Sequence, residues 1–238
     1  MEKLFLKIHN VKEEKLEIIF RGVNIEEFNI NQTKEQLREK LNISLEKFVI
    51  LTVSRIHPRK GIETVINALN SIIENDPKFP IKYFIIGEGK ETEKLKNLVL
   101  NLKLESHVKF LGVLNDNLRN KYYKLSDLFI LVPQIMKNSI EGFGIVYIEA
   151  SYFRLPVIGS CSGGIKVAIV DGKTGFVIEP NNVLSLREKI LLLYANKKLR
   201  SDMGKFGHNR VVKDFNWNNN ALIYKNLLKN TIKEYLSK

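Results

Sequence analysis

Glu141 and Glu149 stand eight positions apart in the stretch Glu141-Gly142-Phe143-Gly144-Ile145-Val146-Tyr147-Ile148-Glu149-Ala150. The first carboxylate sits just before a turn flexed by glycines, and the second follows about two helical turns later. At a rise of roughly 1.5 Å per residue, that spacing spans about 12 Å of helix. Each carboxylate accepts hydrogen bonds from hydroxyls, so the pair suits opposite ends of one extended polar ligand. The span matches the reach from the sugar to the ribose of a nucleotide sugar. An isolated pair of glutamates is more often simply solvated, so its meaning depends on the rest of the chain.

Three further loops carry chemistry. Ser54-Arg55-Ile56-His57-Pro58-Arg59-Lys60-Gly61 follows an apolar run and precedes a helical one. Arg55 can fork onto phosphate oxygens, and Lys60 adds a charge beside a helix start, which itself favours anions. An ordinary basic loop has the same composition. His57 has no evident partner and reads as a surface residue rather than a base. Gly87-Glu88-Gly89 permits a tight turn, and a structural turn is its simpler role. Gly159-Ser160-Cys161-Ser162-Gly163-Gly164 lets backbone approach a ligand. Cys161 reads as a small packed residue, since no histidine adjoins it.

These loops need a frame, and the apolar pattern supplies one. Strand-length runs at Phe48–Ser54, Ile81–Gly87, Val108–Gly112, Asp127–Pro133, Pro156–Gly159 and Thr174–Ile178 alternate with stretches of helical period. The latter are Gly61–Glu74, Glu91–Lys103, Leu118–Leu125, Gly144–Phe153 and Gly164–Val170. Such alternation predicts βαβ units: a Rossmann-like parallel α/β sheet with helices on both faces, followed by C-terminal helices. In such a sheet, ligands bind outside the carboxyl ends of the strands, where all four loops fall. From Leu184 onward the chain reads as helical: Leu186–Ala195, Arg200–Val212 and Asn218–Leu236. Near the start, a short strand is expected at Glu17–Phe20, and Thr33 with Gln36 predicts a capping box for a helix through Leu41. The expected organisation is a lead-in over 1–31, a Rossmann-like domain over 32–214 and a C-terminal helix over 215–238.

Composition narrows the function classes. The 238 residues are 44% apolar and 27% charged, as in a globular chain with a sizeable core. Apolar runs such as Leu128–Pro133 are far too short to span a bilayer. A single cysteine excludes a disulfide framework, and four dispersed histidines show no metal-ligand spacing. A cytoplasmic setting is expected. The net charge of +12 suits an anionic partner, yet its lysines are scattered, with no basic stripe for nucleic acid.

Taken in order, these motifs resemble the donor-binding C-terminal domain of glycosyltransferase family 4, one half of a GT-B glycosyltransferase. The resemblance runs from about Glu17 to Leu228. It rests on Val53-Ser54-Arg55 … Lys60-Gly61, Gly87-Glu88-Gly89, Val108-Lys109-Phe110-Leu111-Gly112, Ser126-Asp127 … Pro133, Glu141-Gly142-Phe143-Gly144 … Glu149-Ala150, Pro156-Val157-Ile158, Gly163-Gly164, Asp171-Gly172-Lys173-Thr174-Gly175 and Phe215-Asn216-Trp217.

The resemblance implies roles. Arg55 and Lys60 would hold the donor diphosphate, Glu149 the ribose hydroxyls and Glu141 the transferred sugar. Backbone N–H groups of Phe143, Gly144 and Ile145 would approach sugar and phosphate, and the loop at Val113 and Leu114 would line the base. Three departures stand out. Phe20-Arg21-Gly22-Val23-Asn24 replaces the frequent Pro-Asn-Gly-Val-Asp. Gly163-Gly164-Ile165-Lys166-Val167 lacks a frequent acidic side chain, and Gln134 replaces a common serine.

The implied activity is retaining transfer of a sugar from a UDP- or GDP-linked donor to a hydroxyl acceptor, without a cofactor or metal. Arg55, Lys60 and a helix dipole would stabilise the leaving diphosphate, with Glu141 orienting the sugar. An N-terminal domain, expected to meet the C-terminal helix, would bind a sugar, lipid-linked or polysaccharide acceptor. Peripheral contact with the cytoplasmic membrane face suits the charge. The alternatives are a nucleotide-sugar-binding subunit of a split enzyme, inactive alone, or a related epimerase or phosphorylase.

Overall fold

A computed structural model describes Lys12, Leu16 and residues 18–136 and 141–237, apart from the side chain of Glu234. Six parallel strands form one sheet: β1 (Phe48–Val53), β2 (Ile81–Ile86), β3 (Val108–Phe110), β4 (Leu128–Ile130), β5 (Val157–Ser160) and β6 (Gly175–Ile178). Their order is β3-β2-β1-β4-β5-β6. Every pairing is parallel, with Phe48 opposite Ile81 and Ile50 opposite Leu128. The chain moves outward from β1 to β3, then returns to lay β4 on the other side of β1. The two loops leaving β1 and β4 therefore diverge, and a crevice opens between them.

Helices cover both faces, as the alternation predicts. They are α1 (Lys34–Lys40), α2 (Ile62–Asn75), α3 (Thr92–Asn101), α4 (Asp116–Leu125), α5 (Ile145–Tyr152), α6 (Ile165–Ala168), α7 (Val183–Ala195), α8 (Lys197–Asp214) and α9 (Trp217–Leu236). The strands are apolar on both sides because both are buried. Phe48 and Ile50 of β1 enter one core with Ile66 and Leu69 of α2 and Leu186 and Ile190 of α7. Val49 and Leu51 enter the other, with Tyr123 of α4 and Tyr147 and Ile148 of α5. Each fully buried aliphatic side chain contributes about 1.5–3 kcal/mol through transfer from water.

Local chemistry fixes the ends of elements. Thr33 accepts from Gln36 N while the Gln36 side chain returns to the Thr33 backbone, so the expected capping box forms. The β4 strand is shorter than the predicted Asp127–Pro133 run. Asp127 precedes the strand; its backbone N–H donates to Val49 O at 2.8 Å, while its carboxylate accepts from Val49 N at 2.7 Å and from Arg38 at 2.6 Å. Arg38 is buried and also donates to the carbonyls of Leu125 and Lys47, each at 2.9 Å. This network clamps the amino ends of β1 and β4, the edge opposite the crevice. No strand forms over residues 18–20, and Glu17 lies outside the described residues.

The lead-in is instead clasped to the α8–α9 junction. Val23 N donates to Phe215 O at 2.8 Å, and Trp217 N donates to Val23 O at 3.0 Å. Gly22 is required at this crossing, since a Cβ there would lie 2.8 Å from Phe215 O and 2.9 Å from Trp217 N. Beyond the clasp, α9 leaves Trp217, Leu222, Tyr224, Leu228, Ile232 and Tyr235 exposed. Among the described residues no helix is long and apolar enough to cross a membrane.

Candidate functional site

The loop after β1 turns immediately. His57 is exposed, and its Nδ1 accepts from Arg59 N at 3.2 Å, capping a one-turn 3-10 helix over Pro58–Lys60. This is a partner that residue types alone did not reveal. Gly61 then starts α2 at φ 68°, in the left-handed region. The backbone just after β4 passes so close that a Cβ on Gly61 would lie 2.0 Å from Val132 O. Only glycine meets both demands. The sharp turn delivers Arg59 and Lys60 to the crevice between the β1 and β4 loops.

From the other side comes Glu141. Its Oε2 accepts from Lys60 Nζ at 2.8 Å and from Arg59 Nη1 at 2.5 Å. The three side chains are 11–14% exposed, so the contact is screened much less than a surface pair. Burial pushes the Glu141 carboxyl up, but Lys60 and Arg59 outweigh it and hold the carboxyl below its ordinary value. Glu141 is thus an anchored anion that remains ionised. Arg59 is one residue of the candidate site that sequence reasoning missed. Adjacent to Lys60 in a basic loop, it carried no signal of a partner 82 positions away.

The Glu141 loop is built from both neighbours. Gly164 N donates to Gly142 O at 3.0 Å, tying it to the loop after β5. Beneath it, the buried Tyr147 hydroxyl donates to Leu131 O at 2.5 Å, fastening α5 to β4. Gly144 is the α5 N-cap and offers no side-chain cap. The backbone N–H groups of Phe143, Gly144 and Ile145 have no hydrogen-bond acceptor among the described residues. They form an electropositive helix start facing the same crevice.

Together these elements enclose a cavity of about 350 Å³ lined by Arg55, Lys60, Glu141, Phe143, Gly144 and Ile145, with Ser54, Val53, Val146 and Arg21 completing it. Arg55 is exposed, and its guanidinium has no ion pair among the described residues. The structure therefore brings together six of the residues that the sequence singled out. Two others stand apart: neither Glu149 nor Leu114 lines the cavity. Glu149 lies one helical turn beyond Ile145 on the same face, and its Oε2 accepts from the Tyr123 hydroxyl at 2.8 Å. Tyr123 is wholly buried and stacked on Phe153, with ring centroids 5.6 Å apart. Burial first, then the Glu149 carboxylate, raises the Tyr123 hydroxyl well above its ordinary value. It remains a hydrogen-bond donor to Glu149. Leu114 packs, partly buried, on the apolar cluster under this end.

An anion cradle at a parallel-sheet switch point, with a carboxylate held beside it, suits a phosphorylated ligand that also carries hydroxyls. The sequence model for "Glycosyl transferases group 1" matches residues 33–210. An uncharacterized glycosyltransferase of Methanocaldococcus jannaschii is 30% identical over 217 residues, which is 90% of this chain and 54% of that protein. The GDP-mannose-dependent alpha-(1-6)-phosphatidylinositol monomannoside mannosyltransferase of Mycolicibacterium smegmatis is 27% identical, over 85% of this chain and 53% of that protein. The chain thus spans about half the length of these relatives. A solved glycosyltransferase of Rickettsia africae superposes with a TM-score of 0.79 at 28% identity, covering 96% of this chain and 62% of that one. Anabaena HepE, solved in complex with UDP-glucose, superposes with a TM-score of 0.80 at 22% identity, covering 96% and 61% of the two chains, and shares the fold. With three quarters of its length matched by the family model, the chain belongs to the group 1 glycosyl transferases.

Proposed function

We propose that this chain is the donor-nucleotide half of a retaining family 4 enzyme of GT-B architecture, which moves a sugar from a UDP- or GDP-linked donor to a hydroxyl acceptor. The observation that supports this is the cavity at the β1/β4 switch point, lined by Arg55, which has no ion pair among the described residues, and by Phe143, Gly144 and Ile145, whose backbone N–H groups have no acceptor among them. Departure of the diphosphate builds negative charge on the leaving group. Arg55, Lys60 and the α5 N-terminus stabilise that charge. Glu141, fixed by Arg59 and Lys60, orients hydroxyls of the transferred sugar and is not a nucleophile in this reading. Glu149, one turn along α5, takes the ribose hydroxyls, and Leu114 borders the base.

The acceptor, a sugar, lipid-linked sugar or polysaccharide, belongs to a second half of the kind that the relatives' greater length accommodates. In this reading the exposed apolar side chains of α9 meet that half. Alone, the chain binds nucleoside diphosphate weakly and transfers no sugar, because a closed cleft supplies the alignment and water exclusion that transfer requires. Calorimetric titration with UDP and GDP tests the reading. Arg55→Ala lowers affinity roughly 10- to 150-fold, the value of a charge-assisted hydrogen bond of about 1.5–3 kcal/mol. Unchanged affinity would remove Arg55 from the phosphate site.

A further inference from the structure

The cavity has a contributor from outside the strand-end loops. Arg21 lies in the lead-in, 34 positions before Arg55, and lines the same cavity. Its backbone is fixed on both sides. Before it, Phe20 O accepts from Asn220 Nδ2 at 2.7 Å, and the Phe20 ring stacks on Phe143 with centroids 6.1 Å apart. After it, Val23 joins Phe215 and Trp217 in the clasp. Between these anchors the Arg21 side chain is exposed and has no ion pair or hydrogen bond among the described residues. Among the described residues the one carboxylate lining the cavity, Glu141, is already met by Arg59 and Lys60. Arg21 thus adds positive charge that no acidic side chain of the cavity offsets among the described residues.

Its place along the cavity selects the ligand group. Through Phe20 and Phe143, Arg21 is tied to the Glu141 end, whereas Glu149 lies one helical turn past Ile145. On the donor-binding reading given above, on which this inference rests, Glu141 marks the sugar end and Glu149 the ribose end. A guanidinium at the sugar end meets the phosphate joined to the sugar. We infer that Arg21 is a second arginine on the donor diphosphate, contacting its sugar-linked phosphate opposite Arg55. It makes the site selective for nucleoside diphosphates over monophosphates. Its planar fork suits two phosphate oxygens at once, which a lysine would not reproduce.

Calorimetric titration of the full chain and of Arg21→Ala, Arg21→Lys and Arg55→Ala separates the outcomes, with UDP, UMP, GDP, GMP, UDP-glucose and UDP-glucuronate as ligands. The expected result is that Arg21→Ala loses roughly tenfold or more in affinity for the better-bound diphosphate and less than about twofold for its monophosphate. Arg21→Lys should recover only part of the loss. Equal losses on mono- and diphosphate, or no loss, would overturn the inference. So would a loss confined to UDP-glucuronate, which would assign Arg21 to a sugar carboxylate. Wild-type binding that Arg55→Ala weakens and Arg21→Ala leaves intact would sink this inference while sparing the donor-site reading. Failure of the wild-type chain to bind any of these nucleotides would sink both.

Discussion

Arg59 reaches across 82 positions of chain to Glu141, closing at 2.5 Å the crevice that the divergent β1 and β4 loops open. The contact links the two halves of the site through side chains, whereas the sheet links them only through backbone. It also pins the Glu141 carboxylate between two cations.

Arg59→Ala should therefore cost stability as well as geometry. The pair lies between the exposed case, worth under about 1 kcal/mol, and the fully buried case, where breaking it costs about 3–5 kcal/mol. A loss of about 1–3 kcal/mol in urea unfolding is expected. The double variant with Glu141→Ala should lose less than the sum of the two singles, because each removes the same contact. Strict additivity would show that the two side chains do not interact in solution.

The two glutamates should divide the ligand between them. Glu141→Ala should bind plain UDP or GDP no more weakly than wild type, since Lys60 is released to the phosphate. It should lose only the extra affinity for the sugar-linked donor. Glu149→Ala should weaken plain diphosphate binding, and that effect should vanish with a 2′,3′-dideoxy nucleotide. Tyr123→Phe should produce a smaller loss of the same kind, since it frees Glu149 Oε2 without removing it. Titrations that show Glu141 and Glu149 acting alike on plain diphosphate would contradict the division.

Acid should weaken the fold in a definite window. Burial pushes the carboxyls of Asp127 and Glu141 up, but Lys34 and Arg38 in the first case, and Lys60 and Arg59 in the second, hold both below their ordinary values. A carboxyl with a depressed folded value stabilises the fold above its unfolded value and loses that contribution as pH falls through the folded one. The contribution is thus complete above about pH 5 and drains away below about pH 4. Urea midpoints measured from pH 7 to pH 3 should fall steeply at the acid end for wild type and less steeply for Asp127→Asn. Parallel curves would remove Asp127 from the acid response.

Gly61→Ala should be severe for a conservative change. It adds a left-handed strain of about 1–2 kcal/mol to an overpacking cost of about 1–3 kcal/mol against Val132 O. A combined loss above about 2 kcal/mol is expected in thermal or urea unfolding, with weaker diphosphate binding at temperatures where the variant remains folded. A variant as stable as wild type would show that the turn can re-form without its close approach to Val132.

Much of the fold was legible because parallel strands buried on both faces are apolar throughout. Phe48–Val53 and Ile81–Ile86 announce themselves within a residue of their limits. Asp127 did not, because its role depends on Val49 N and Arg38, both remote in sequence. The same cause separates the legible part of the site from the rest. Arg55, Lys60 and Glu141 sit in loops whose glycines and flanking strands mark them. Arg59 looked like one more charge in a basic loop. Arg21 sits in a lead-in whose approach to the cavity is decided by Gly22 and by the ring of Phe20, neither of which signals direction in a linear sequence. The placement of Glu149 outside the cavity was hidden for another reason. Helical spacing gives distance along the axis, but only the packing of Tyr123 shows which group the carboxylate meets first.

The crossing of Gly22 over Phe215 and Trp217 has a mechanical consequence. Two stretches nearly two hundred positions apart meet there over a few residues, Phe20 to Val23 against Phe215 to Asn220, so rotation of either would pivot about a short pin. The aromatic rings radiating from that pin, Phe215 to Phe143 at 5.4 Å and Phe20 to Phe143 at 6.1 Å, end on the residue two places after Glu141. A twist applied where the lead-in meets α9 would thus reach the crevice through three rings, with the sheet as the fixed chassis around which they turn.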